Sequence, residues 1–318
     1  MSSKSMRGRR ILSTHLAAAV LIVAVMLMLA SAMSLQVRSL EVSESYIVPL
    51  EEGIEEVRLD VVASRGEVDV GFADLDGDAV IVTASLHGTA SMFGSDIPLN
   101  TTVTYDIDAM SGVVNVSAIM DVDAPWPYHM LEKVRFEIDI DRSLAAHIDI
   151  TVVTGGAIVR TVEGSNITGL NIYATSLGSV VALNNGTILS GDVHIRTATG
   201  GTKLYWNNLT VSGDRLVTME ESSGVLRAMI DQTGSMEGTV TLLGKSIGGP
   251  VSLDMELRGD VGGSVEATSR GDIKMDCQDG FRCHDGTRAS SGHPAASSFH
   301  VRLESTVGGI EARGRWTP

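Results

Sequence analysis

Residues 193–214 read VHIRTATGGTKLYWNNLTVSGD. Two alternating stretches flank Thr199-Gly200-Gly201, and an Asn-Asn-x-Thr follows. One period upstream the same pieces recur. Asn184-Asn185-Gly186-Thr187 with Ser190-Gly191-Asp192 matches Asn207-Asn208-Leu209-Thr210 with Ser212-Gly213-Asp214. Hydrophobic patterning does not explain repeated polar residues. In stacked coils like side chains sit above like, and Asn or Thr columns hydrogen-bond along the stack.

The corner recurs more widely. Ser/Thr-x-Gly stands at Thr154–Gly156, Ser176–Gly178, Thr199–Gly201, Ser222–Gly224, Ser246–Gly248, Ser269–Gly271 and Thr306–Gly308. The glycines are spaced 22, 23, 23, 24, 23 and 37 residues apart, the last step being one period plus an insertion. Ser64–Gly66 is an earlier copy. Period-two runs such as Ile148-Asp149-Ile150 and Val193-His194-Ile195 precede the corners, and an aliphatic residue usually follows two positions on. Such alternation places one set of side chains inward and the other in water. Glycine permits positive φ or close backbone approach at the corner, and the hydroxyl bonds locally to the turn.

These features predict an all-β chain built as a β-solenoid of about 23-residue coils. An antiparallel β-sandwich of hairpins also gives frequent turns, but has no need of aligned polar columns. The aliphatic strand, Thr/Ser-x-Gly, aliphatic strand pattern, entered through VRFEIDIDRSLAAHIDITVVTGGAIV, resembles an exported domain family of unknown function called putative adhesins. The resemblance covers 134–276 well and 299–312 less fully. It implies the stacked fold, and the family's label implies attachment.

MSSKSMRGRR is basic, and Leu16 to Ala30 is wholly apolar, with Ser31–Leu35 extending the stretch. A membrane helix needs about 20 largely apolar residues. A secretory signal needs roughly 7–15 before a small-x-small site, which Ala30-Ser31-Ala32 supplies. The expectation is a single-pass anchor over 16–35 with the rest outside the cytoplasm, or a chain secreted after cleavage near Ala32. Residues 1–35 are then flank and anchor, 36–56 a polar stalk, 57–130 an N-terminal β region or cap, and 131–318 the repeat, interrupted at 277–298. Strands are expected at Val57–Val70, Ala79–Ala84 and Thr101–Met120, with a proline-broken junction at 123–128.

Lys4, Arg7, Arg9 and Arg10 leave 20 of the 24 basic residues for the remainder, against all 39 acidic ones. Such a surface repels nucleic acid and anionic headgroups. Five of the eight asparagines, Asn100, Asn115, Asn166, Asn185 and Asn208, stand in N-x-Ser/Thr and are candidate glycosylation sites on an exported surface. Cys277 and Cys283 are the only cysteines, and outside the cytoplasm they most simply form one disulfide. Zinc on Cys277, Cys283, His284 and His293 is the sharper alternative. Asp74, Asp76 and Asp78 resemble a calcium loop, but Ala79 and Ser85 replace the glycine and late Glu that such a loop requires.

Arg258-Gly259-Asp260 and Arg270-Gly271-Asp272 read as solvent-facing corners rather than attachment motifs. Asp139 and Asp141 read as a solvated face. Neither catalytic motifs nor a cofactor fingerprint is present. The sequence therefore points to a membrane-anchored, extracytoplasmic, non-catalytic structural or adhesion-like protein of the cell envelope, with a glycan or envelope protein as partner. The alternatives are a sensory ectodomain acting through a membrane partner and a polysaccharide-processing enzyme using carboxylates from neighbouring coils.

Overall fold

A computed structural model describes residues 21–26, 37–91, 99–123, 129–233, 236–292, 295 and 297–318. Along the chain, β1 (Val37–Pro49), β2 (Glu56–Ala73), β3 (Asp78–Ser91), β4 (Leu99–Asp108), β5 (Val113–Val122) and β6 (His129–Asp141) form the first part. The regular repeat carries β7 (Ala145–Arg160), β8 (Asn166–Ala174), β9 (Gly178–Leu183), β10 (Ile188–Leu189), β11 (Val193–Thr199) and β12 (Thr202–Asn207). It continues through β13 (Thr210–Val211), β14 (Arg215–Ser223), β15 (Leu226–Gln232), β16 (Thr239–Ser246) and β17 (Val251–Arg258). Then come β18 (Val261–Ser269), β19 (Ile273–Gln278), β20 (Phe281–Asp285), β21 (Arg288–Ser291), β22 (Ser297–Ser305) and β23 (Ile310–Thr317). The protein is all-β, and these strands join in one sheet that curls almost closed around a single apolar core.

The repeat pairs in parallel, one period at a time. Val193 of β11 lies beside Leu170 of β8 on one side and Val217 of β14 on the other. Thr202 of β12 lies beside Ser179 of β9 and Leu226 of β15. Two ladders result, each layer giving one strand to each. The first runs through β8, β11, β14 and β16, the second through β9, β12, β15 and β17. β2 and β7 are long enough to serve both, pairing from Glu56/Ala145 to Val70/Val159. A short third row, through Asn166–Ile167, β10 and β13, closes part of the remaining side. Antiparallel pairs, which a sandwich would use throughout, are confined to the two ends of the stack.

Alternation explains the core. β11 buries Val193, Ile195 and Thr197, and β12 buries Thr202, Leu204 and Trp206. The filling is mostly aliphatic, with Trp206, Phe136 and Phe299 the largest buried side chains. Trp206 and Phe299 meet edge-to-face at 5.2 Å. Within the core, Gln232 accepts from the Trp206 Nε1 (2.8 Å) and the Leu209 amide (3.0 Å), and donates to the Leu209 carbonyl (2.9 Å). The amide thus satisfies buried groups that two neighbouring layers would otherwise leave unpaired.

The layers do not stack in chain order at either end. β22 lies between β16 and β18, and β23 between β17 and β19. The C-terminal layer therefore sits inside, while β18 and β19, which precede it in sequence, stand outermost. β21 runs antiparallel to both β18 and β20, so the insertion adds a hairpin at that outer edge. The amino-terminal end shows the same arrangement. β2 is enclosed between β7 on one side and β5 with β6 on the other. β4 then pairs with β5, β3 with β6, and β1 with β3.

Three expectations change. Residues 37–49 are not a stalk: they pair with β3 through nearly their whole length and bury Leu40 and Val48. Their polar composition hid a period-two strand with one wet face. Thr101–Met120 is not one strand but the hairpin β4/β5, because Gly112 turns the chain at φ 69°. The last period does not follow the one before it in space. Of the proposed anchor at 16–35, only residues 21–26 are described, and they are helical. The rest, like residues 124–128 of the junction, lies outside the described residues. Among the described residues, no helix is long and apolar enough to cross a membrane.

Candidate functional site

The polar repeat braces one layer on the next. Asn208 Nδ2 donates to Asn185 Oδ1 at 2.8 Å, and Asn208 Oδ1 accepts from the Thr233 amide and hydroxyl (3.1 and 2.9 Å). The duplicated aspartates do the same: Asp192 Oδ1 accepts the Leu216 amide at 2.9 Å, and Asp214 Oδ1 the Thr239 amide at 2.8 Å. Each Ser-Gly-Asp thus holds the first residues of the strand one layer on. Thr161 and Thr187 share a 2.6 Å hydroxyl contact inside the same side of the stack.

The glycine corners form a column. A Cβ on Gly178 would strike the Gly201 carbonyl, one on Gly249 the Gly224 carbonyl, and one on Gly308 the Gly249 carbonyl. Gly271 in turn faces Gly308, which confirms the inverted order of the last layers. Behind the column Glu221 is buried, accepting from the Ser223 amide (3.1 Å) and the Thr202 hydroxyl (3.2 Å). Burial pushes its carboxyl above the usual range, against these hydrogen bonds.

With the interior committed to packing, only the outward faces are open to a ligand. On the second ladder, Ala182, Tyr205, Met229 and Asp254 align in register, one per layer. Two residues along, Asn207, Asp231 and Glu256 form a parallel row, with Asn184 at its head. Together they line a shallow concavity. Tyr205 is 36% exposed, and Asp231 Oδ1 is shielded from solvent with no hydrogen-bond partner among the described residues. A floor of Ala182, Tyr205 and Met229, ended by Asp254, therefore runs beside a wall of amides and carboxylates. Neither row was singled out in the sequence; the signal was the residues one and three positions after Leu204 and their equivalents at period spacing.

The first ladder carries a second groove, lined by Arg58, Asp60, Tyr105, Asn115, His147 and Asp149 among others. Asp60 and Asp149 are register partners on adjacent layers, as are Arg58 and His147. Asp149 also accepts from Asn171 Nδ2 at 2.7 Å and lies 3.5 Å from His147 Nε2. The row continues through Asn171 to His194, which contacts the Thr218 hydroxyl at 2.7 Å; two residues along, Arg196 lies over the ring of its register partner Tyr173 at 5.8 Å.

Cys277 and Cys283 are joined as a disulfide with Cα atoms 5.8 Å apart. That consumes both thiols the zinc reading needs. His284 instead contacts Ser290 Oγ at 2.6 Å, and His293 lies outside the described residues. The calcium loop does not assemble. Arg142 pairs with Asp74, Asp76 takes a left-handed turn conformation (φ 48°), and no metal-holding group of His, Cys, Asp or Glu occurs among the described residues. Asp141 is not on a solvated face. It is buried at the β6–β7 turn, accepting from the Leu75 and Ser143 amides (both 2.9 Å) and from the Ser143 hydroxyl. Burial alone would raise its carboxyl; the hydrogen bonds and nearby Arg142 hold it below the usual range. Asn100, Asn115 and Asn185 are exposed, whereas Asn166 accepts from Ser190 and Asn208 is engaged as described. Arg258 is paired with Glu256 at 2.7 Å, and Gly259 fills a turn.

No family profile matches the chain, and neither does any curated protein. Solved structures similar to it include a putative cell adhesion protein from Clostridium sporogenes, at 12% identity and TM-score 0.42 over 87% of this chain and 100% of that one. A putative adhesin from Bacteroides fragilis is similar at 11% and 0.35, over 86% and 97%. One from Parabacteroides distasonis is similar at 11% and 0.30, over 86% and 97%.

Proposed function

We propose that the two ladders are the coils of a β-solenoid displayed outside the cytoplasm, held at the membrane by residues 16–35, and that it acts by adhesion-like binding without catalysis. The carrying observation is the platform of Tyr205 and Met229 beside Asn207 and Asp231. A sugar ring has an apolar face and a rim of hydroxyls. An aromatic side chain covers the first, and amides and carboxylates bond the second. Repetition by layer suits a ligand that itself repeats, so the partner class is a glycan chain. Exposed Asn100 and Asn115 would carry the protein's own glycans on β4 and β5, strands that take no part in this platform, whereas Asn185 adjoins it.

Glycan-array binding with the detergent-solubilised full chain tests the reading. Binding without turnover, lost in Tyr205→Ala and Asn207→Ala, is expected. Binding unchanged by both substitutions rejects the platform, and no glycan binding at all leaves the sensory ectodomain ahead.

A second reading has one specific observation behind it. Asp60 and Asp149 stand side by side over the first-ladder groove, the arrangement of a carboxylate-pair hydrolase. Turnover of a polysaccharide that disappears in Asp60→Asn and Asp149→Asn would establish this reading and displace the first.

A further inference from the structure

We propose that the C-terminal layer, Ser297–Thr317, is exchangeable, and fills the same slot in a second copy of this chain. Its position requires that it enter late. The walls of the slot are β16 with β17 on one side and β18 with β19 on the other, and both precede it in the chain. The walls are linked directly by Gly259 and Asp260, and the Gly259 amide bonds the Thr317 carbonyl at 3.0 Å. Winding in sequence order would close β18 onto β16 and leave no slot. A chain whose last layer has not yet entered therefore holds two unpaired ladder edges on each wall, a template for another strand pair.

The slot is matched to this segment by charge. Arg313 lies between Asp254 of one wall (3.8 Å) and Asp276 of the other (3.3 Å). Arg315 reaches Asp279 at 3.2 Å and Gln278 at 3.1 Å, and Glu311 reaches Lys274 at 2.8 Å. On the first ladder Arg302 is the register partner of Glu266, and Glu304 that of Lys245. Each surface pair is weak, but their alternation selects this segment and its register over other layers. Phe299 completes the fit by packing on Trp206 inside the core. Nothing in these contacts distinguishes the chain's own segment from that of a second copy. Reciprocal exchange satisfies every bond twice and produces a closed two-fold dimer.

The test uses the full chain. Lys274→Cys is made in one tagged copy and Glu311→Cys in another; these residues are register partners on β19 and β23 and both are exposed. The two are refolded together over a range of concentrations, and cross-links are mapped by mass spectrometry to separate them from the native Cys277–Cys283 bridge. A heterodimer joined through positions 274 and 311 is expected, its fraction rising about tenfold per tenfold concentration while dimer is scarce. The double variant in one chain, refolded at the lowest concentration, should form the link internally as a monomer, showing that the substitutions permit folding. Monomer at every concentration, or a dimer without the 274–311 link, overturns the proposal. Glycan binding is read separately, so loss of exchange and loss of binding are distinguishable.

Discussion

Gly164 and Gly178 form a matched pair. Their φ values are 88° and 90°, so an alanine at either suffers the same backbone penalty, about 1–2 kcal/mol for a left-handed L-residue. Their surroundings differ. A Cβ on Gly164 meets nothing within 4 Å, whereas one on Gly178 would collide with the Gly201 carbonyl of the next layer. That carbonyl accepts the Ser179 amide at 2.9 Å, so pushing it away also loosens a rung of the second ladder. Overpacking adds about 1–3 kcal/mol, and a weakened buried hydrogen bond about 1 kcal/mol. Gly164→Ala should therefore cost about 1–2 kcal/mol and Gly178→Ala about 3–6 kcal/mol. Urea titration followed by tryptophan fluorescence reads the difference. Trp206, buried one layer beyond Gly178, reports on the affected region. Equal shifts for the two variants would mean that layers do not approach at Gly178, and the stacking account of the Ser/Thr-x-Gly column would fail.

Other expectations follow from buried carboxylates and the bridge. Because burial raises Glu221, its contribution is best at low pH and worsens as pH climbs from the ordinary value of 4.5 through the folded one. Glu221→Gln should remove that dependence and leave the protein at least as stable at pH 7; a pH series of melting temperatures that stays parallel to wild type refutes this. Asp141 behaves oppositely: its stabilisation is full above the ordinary 3.8 and is lost as pH falls through the lowered folded value. Asp141→Asn turns an NH2 toward amide donors and should cost about 1–3 kcal/mol at neutral pH, measured by the same titration, with the gap closing in acid. Replacing Cys277 and Cys283 by Ser opens a six-residue separation and should cost about 2 kcal/mol in the loop-entropy account. Hydrogen exchange should localise that loss to β20 and β21.

Much of the architecture was legible because each layer repeats the same solution. The corners at Gly178, Gly201 and Gly224, the Asn185–Asn208 contact and the Asp192 and Asp214 braces all follow from polar residues recurring at period spacing. The proposed platform was not legible. Tyr205, Asn207 and Asp231 are unremarkable singly, and only parallel register brings them side by side. Asp141 misled because alternation assigns a residue to a face but does not reveal a turn that folds back over it. The stalk misled for a related reason: β1 lies at the sheet's margin, paired with β3, and a marginal strand carries few apolar residues.

The order of the layers is the part that periodicity cannot give. Any permutation of equal layers buries the same alternating faces and places the same glycines at the corner. What distinguishes one order from another is the match across each interface, and the charges record it. Arg313 gains carboxylate partners on β19 and β17, and Arg315 gains Asp279, just past β19. Placed outermost, the same segment would have only one such wall. The inverted order also places β2, and β22 with β23, in the interior, where each has partners on two sides. Fraying starts where a strand pairs on one side only and the chain is free to leave. At the end beyond β22 and β23, the outer strand β19 pairs only with β23 and continues into β20, so peeling it away requires opening a loop. That end of the stack is thereby held by connectivity, in addition to the hairpin β20/β21 that pairs along β18.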